Sequence, residues 1–162
     1  MPDTYTTGEL INVAINIERS GITFFDIMAR TTDSDVARDT FEQFVKMERE
    51  HLTLFQDMIS QMADSPSAGA LTPEVSGYIR ALIDGAVFSN DAAMDDAVSG
   101  ADTDSRALEV GISAEKDSIL FYQALKDIMP PAAANLLDNI LTEEKTHLIH
   151  LSEIKKQLDS GG

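Results

Sequence analysis

Apolar residues recur along this chain at alternating steps of three and four, the spacing of one face of an α-helix. Over about 7–30 the stripe runs Ile11, Ala14, Glu18, Gly21, Phe25 and Met28; over about 35–62 it runs Phe41, Phe44, Glu48, His51, Phe55, Met58 and Met62. Over about 103–129 it runs Leu108, Gly111, Glu115, Ser118, Tyr122, Leu125 and Met129, and over about 131–159 Leu137, Ile140, Glu144, His147, Leu151, Ile154 and Leu158. Four long amphipathic helices are predicted, and no stretch shows the period of a half-buried strand. A short polar turn, Thr31 to Ser34, separates the first two helices, and Pro130-Pro131 separates the last two. Short turns imply antiparallel hairpins. Between the hairpins lies a crossover of about 64–102, which opens with a break in the pattern at 64–72. Thr72-Pro73-Glu74 then supplies an N-cap, a proline at the first helical position and an acidic first turn. A modest helix to about Phe88 and a short piece from Asn90 to Val98 are expected there. The chain is read as one all-α domain, 1–162, an antiparallel four-helix bundle of two hairpins joined by a crossover with one or two short helices.

Each stripe is interrupted by polar residues in its middle. Glu48 and His51 form one Glu-x-x-His, and Glu144 and His147 form another. Residues three apart share a helix face, so each carboxylate and imidazole aim at one spot. Glu18 and Glu115 stand alone on the two preceding helices. Glu18 lies about 14 residues before the first turn and Glu48 about 15 after, each roughly 22 Å along its helix at 1.5 Å per residue. Glu115 and Glu144 are placed likewise about the second turn. The six residues are therefore expected in one layer of the bundle. An uncompensated buried carboxylate costs several kcal/mol. Two divalent cations would neutralise four carboxylates, so the layer reads as a dinuclear metal site of Glu18, Glu48, His51, Glu115, Glu144 and His147. A satisfied polar layer in a plain bundle is the competing reading.

Composition narrows the chemistry. The 162 residues carry 28 acidic and 12 basic side chains, a net charge of −16, which disfavours nucleic acid and anionic membrane surfaces as partners and favours cations. With no cysteine, a thiolate zinc site or an iron–sulfur cluster is excluded. The first residues do not resemble a signal peptide, and no apolar run approaches membrane-spanning length, so a cytoplasmic protein is expected.

The paired Glu-x-x-His, each with an upstream Glu at nearly equal distance, resembles the rubrerythrin branch of the ferritin-like di-iron carboxylate superfamily. The resemblance spans nearly the whole chain. It implies two iron ions per chain on those six residues, with manganese or zinc as other metals. It also implies an oxidoreductase that reduces hydrogen peroxide or dioxygen in oxidative-stress defence, and a homodimer. The alternatives are a ferroxidase serving iron storage or transfer, and a structural or sensory dinuclear site. Which carboxylates bridge is left open. Two departures stand out. Ser118 occupies a position where rubrerythrins often carry an extra Glu, with Gly21 at the related place on the first helix. The chain also lacks the cysteine-bound iron module of rubrerythrins proper, so a separate electron donor is expected.

Other residues are weighed against plainer roles. His150 is expected at the surface or boundary, because a helix turn carries it off the stripe. Tyr122 reads as core with a satisfied hydroxyl, or as a hydrogen-bond partner near the metals. The phenylalanines read as core, and Gly21 as space above the metals or as close helix packing. Nothing in the sequence suggests an organic-substrate pocket.

Overall fold

The computed structural model describes residues 4–62 and 71–161. Most of the expected break at 64–72 lies outside the described residues. Among the described residues six helices follow one another: α1 (Thr7–Thr31), α2 (Asp35–Met62), α3 (Pro73–Gly85), α4 (Asp91–Gly100), α5 (Asp104–Ile128) and α6 (Pro131–Ser160). No strand occurs among the described residues. No described helix is long and apolar enough to cross a membrane.

The helix starts are set by side chains that satisfy free backbone N–H groups. Thr6 and Glu9 form a reciprocal capping box, the Thr6 hydroxyl accepting from the Glu9 N–H at 3.2 Å and the Glu9 carboxylate from the Thr6 N–H at 2.7 Å. Ser34, Thr72, Asn90 and Thr103 each accept from the N–H three residues on. Pro131, whose missing N–H is no loss there, opens α6.

The described residues form two apolar core clusters. One holds Leu10, Ile11, Ala14, Phe55, Met58, Phe121, Tyr122, Leu125, Leu137 and Ile140. The other holds Phe24, Phe25, Met28, Phe41, Phe44, Leu108, Leu151 and Ile154. The first cluster takes the N-terminal half of α1, the C-terminal half of α2, the C-terminal half of α5 and the N-terminal half of α6. The long helices therefore run antiparallel within each hairpin, and α1 runs antiparallel to α5. Glu18, Glu48, His51, Glu115, Glu144 and His147 lie in sequence between the two clusters on every helix. The architecture is an antiparallel four-helix bundle with a buried polar waist.

The crossover helices lie against α5, with α4 also against α1. Ile79 of α3 joins the first cluster, and Phe88, Met94 and Val98 pack on the second. The Thr32 hydroxyl donates to Asp104 at 2.6 Å, tying the first hairpin turn to the start of α5. Gly111 permits close packing on the same side, since a Cβ there would stand 3.1 Å from the Phe25 ring.

Candidate metal centre

Each polar residue of the waist is buried because the apolar stripe around it is. Glu18, His51 and Glu144 have no exposed surface, and Glu48, Glu115 and His147 have at most 4%. The layer sorts into two overlapping quartets. Glu18, Glu48, His51 and Glu144 offer ligand atoms that all lie within 4.8 Å of one another, and so do Glu48, Glu115, Glu144 and His147. Glu48 and Glu144 belong to both. Each quartet adds one Glu and one His of its own: Glu18 with His51, and Glu115 with His147. The carboxylates of the two Glu-x-x-His pairs are thus the ones common to both quartets.

Both imidazoles present Nδ1 to the layer. His51 Nδ1 lies 3.7 Å from Glu18 Oε2, and His147 Nδ1 lies 3.7 Å from Glu48 Oε1 and 3.9 Å from Glu115 Oε2. The rings stack with centroids 5.7 Å apart. His51 Nδ1 also comes to 2.8 Å from Glu144 Oε1, but without the alignment of a hydrogen bond. Every one of the six residues keeps a buried atom with no hydrogen-bond partner: Glu18 Oε2, Glu48 Oε1, His51 Nδ1, Glu115 Oε2, His147 Nδ1 and both oxygens of Glu144. Buried polar atoms are rarely left so, and an unpaired buried charge costs several kcal/mol. Cations at the centre of each quartet would satisfy all of them. Carboxylates with imidazoles and no thiolate suit iron, manganese or zinc, and four carboxylates balance two divalent ions. The residues present thus fit a dinuclear metal group.

The electrostatics of the side chains alone point the same way. Burial, then repulsion from Glu18, Glu144 and Glu115, holds Glu48 well above the usual carboxylate range. Burial, then Glu144, raises Glu115. Burial opposes the charged form of His51, yet Glu144 and Glu18 beside it push its pKa up to about 11. Burial pushes Glu144 up, but Glu115, His51 and His147 outweigh it and hold the group below its ordinary value. His147 is lowered, chiefly by burial. The carboxylates thus compete for protons and for the imidazolium, a competition that bound divalent ions would reverse.

Neighbouring side chains orient the six. Tyr122, fully buried, donates its hydroxyl to Glu18 Oε1 in a short hydrogen bond. The tyrosine is thus a core residue whose hydroxyl is satisfied by a carboxylate of the layer. Phe44 meets the His147 ring edge-on at 5.0 Å. Glu143, which sequence reasoning passed over, lies 2.7 Å from His51 Nε2 through Oε2, with its side chain 56% exposed. Its only sequence signal was a carboxylate beside Glu144, able to serve the far nitrogen of a histidine whose near nitrogen faces the layer. His150 stays outside both quartets, its ring 5.8 Å from that of Phe44.

Gly21 and Ser118, each three residues past a Glu of the layer, border a cavity of about 170 Å3 that reaches Glu48 and Glu115. A Cβ on Gly21 would stand 3.2 Å from Glu48 Oε2. The glycine thus serves both expected purposes, close packing and space beside the site.

The model of the Rubrerythrin family matches residues 9–155. Among solved structures, a candidate ferritin-like diiron-carboxylate protein from Thermotoga maritima is similar in fold, with a TM-score of 0.70 and 24% identity over 96% of this chain and 98% of that one. No curated protein matches the chain.

Proposed function

This chain belongs to the rubrerythrin family, and on that premise we propose that it is a di-iron oxidoreductase that reduces hydrogen peroxide, or dioxygen, with electrons from a separate donor. The observation that carries the reading is the sharing of Glu48 and Glu144 by two four-residue quartets in which every residue has an unpartnered buried ligand atom. Glu18 and His51 would hold one iron and Glu115 and His147 the other, with Glu48 and Glu144 common to both. Iron supplies the redox capacity. The protein supplies the rest. Tyr122 orients Glu18, and Glu143 fixes the His51 ring so that Nδ1 faces inward. Phe44 packs against His147, and the apolar clusters above and below keep bulk water out. The net reaction takes two electrons and two protons per peroxide and yields two waters. Without cysteine the chain has no iron–sulfur relay of its own, which is why a separate donor is part of the proposal. A homodimer in the cytoplasm completes it.

The test is steady-state peroxide consumption by iron-loaded protein with an artificial donor. Turnover should continue, faster with peroxide than with dioxygen, and His51→Ala and His147→Ala should each remove most of it. Consumption that stops after one oxidation per site, with ferric iron accumulating in the protein, would assign the chain to iron storage instead.

A further inference from the structure

The cavity beside the waist is much larger than the reaction proposed above requires. It lies between α1, α5 and the connection from α3 to α4, and its volume is about 170 Å3. A peroxide or dioxygen molecule needs little more than the roughly 30 Å3 that a water occupies in the liquid, whereas an apolar cavity of about 150 Å3 holds benzene. Its walls are mostly apolar, with Ile17 and Phe25 from α1, Ile83 and Phe88 from the crossover, and Phe121 from α5 among them. Glu48, Glu115 and Ser118 line its end at the layer, and Asn16, Ser20, Ser89 and Asp117 add polar groups elsewhere on its wall. An apolar body with a few convergent polar groups is the usual make-up of a small-molecule site.

Three features keep this space open and roofed. Gly21 and Ser118 put small side chains at the two seam positions nearest the carboxylates. The Val87 N–H donates to Asp117 Oδ2 at 2.8 Å, pinning the crossover connection to α5. Phe88 in that connection packs against Phe24 with ring centroids 5.2 Å apart.

We propose that this cavity binds a small neutral organic molecule of phenol size, its hydroxyl toward Glu48, Glu115 and Ser118 and its ring among Ile17, Phe25 and Phe121. The acidic end disfavours an anion, and the apolar walls favour an aromatic ring over a polar chain. The sequence suggested no organic pocket because its lining comes from four separate segments. The inference goes beyond the redox reading and does not rest on it: ligand binding is measurable whichever oxidant reacts.

The probe is phenol, titrated by calorimetry into the purified metal-loaded protein, with methyl NOEs to locate the ring. Saturable binding with a Kd of about 1 mM or tighter is expected for a ligand of this size, with NOEs from phenol to the Ile17 and Ile83 methyls. Ser118→Leu, which fills the cavity, should weaken phenol at least tenfold while metal content stays that of the unsubstituted chain. Ile17→Ala, which enlarges the cavity, should tighten 2-naphthol at least tenfold, and it decides the matter if the first variant does not fold. No saturable phenol binding, NOEs only to residues elsewhere, or a 2-naphthol affinity unmoved by Ile17→Ala would each overturn the proposal.

Discussion

His51 and Glu143 form a bond from the buried layer to the surface: Nε2 of the ring lies 2.7 Å from a carboxylate that is more than half exposed, while the ring itself has no exposed surface. With Nε2–H donating outward, Nδ1 carries the lone pair that a metal ion needs. The partner of a ligand's far nitrogen sets its tautomer and orientation.

Glu143→Ala should therefore weaken metal binding without unfolding the chain. Loss of such a partner costs about 10–100-fold in affinity, and leaving the buried His51 donor unpaired costs about 1–3 kcal/mol of stability, short of the about 5–15 kcal/mol that holds a domain folded. Competition with a chelator, beside thermal melting of the metal-free protein, separates the two. An affinity unchanged within twofold would show that the bond does not position His51.

The shared carboxylates make a stoichiometric prediction. Native protein should bind about two metal ions per chain, as a dinuclear bundle site implies. Glu48→Ala or Glu144→Ala removes a group common to both quartets and should lower both occupancies. Glu18→Ala or Glu115→Ala touches one quartet and should leave about one ion. Elemental analysis after reconstitution reads the difference. Equal loss in all four variants would argue against Glu48 and Glu144 as the bridging pair.

Chelation should destabilise the protein and change the sign of its pH dependence. At a metal concentration of about 100 times Kd, binding adds about 2.7 kcal/mol, which for a chain of this size is a melting shift of about 5–10 °C. In the metal-free protein the His51 pKa, about 11, stands above its ordinary 6.5. Its stabilising charge is then fully present below pH 6.5 and is lost as pH rises through 11. Raised Glu48 and Glu115 act in the same sense, because the folded state keeps protons that the unfolded chain releases. Metal-free protein should thus melt at progressively lower temperature from about pH 6 to about pH 9. Metal binding, which needs deprotonated ligands, should strengthen over the same range. Parallel curves with and without chelator would contradict this.

Tyr122→Phe keeps the ring that packs on Phe55 at 5.1 Å and deletes the donor to Glu18. Hydrogen bonds to charged groups contribute about 1.5–3 kcal/mol, so a loss in that range is expected from denaturant titration of the metal-loaded protein. Metal content should stay at about two, since the hydroxyl is engaged as a donor to Glu18 and all six proposed ligand residues remain. A stability change below about 0.5 kcal/mol would mean that Glu18 does not depend on this donor.

Much of this protein is written in the periodicity of its chain. Helical rise and two short turns bring Glu18 level with Glu48 and Glu115 level with Glu144, and the three-residue spacing adds His51 and His147 to the same faces. Buried charge must be compensated, so those six residues were legible from the sequence as a candidate dinuclear metal layer. Periodicity, however, specifies a height and a face within one helix. It leaves the rotation and offset of one helix against another free, and the remaining findings depend on these. Tertiary packing alone made Glu48 and Glu144 common to both quartets and set Tyr122 against Glu18 across the α5–α1 seam. Glu143 lies one residue, about 100° of helix, from Glu144, on the side where a stripe reading expects only solvent. A long side chain and a close neighbouring helix bring its carboxylate to His51. The cavity is tertiary for the same reason, because the space left by Gly21 and Ser118 becomes a pocket only when the crossover closes over it.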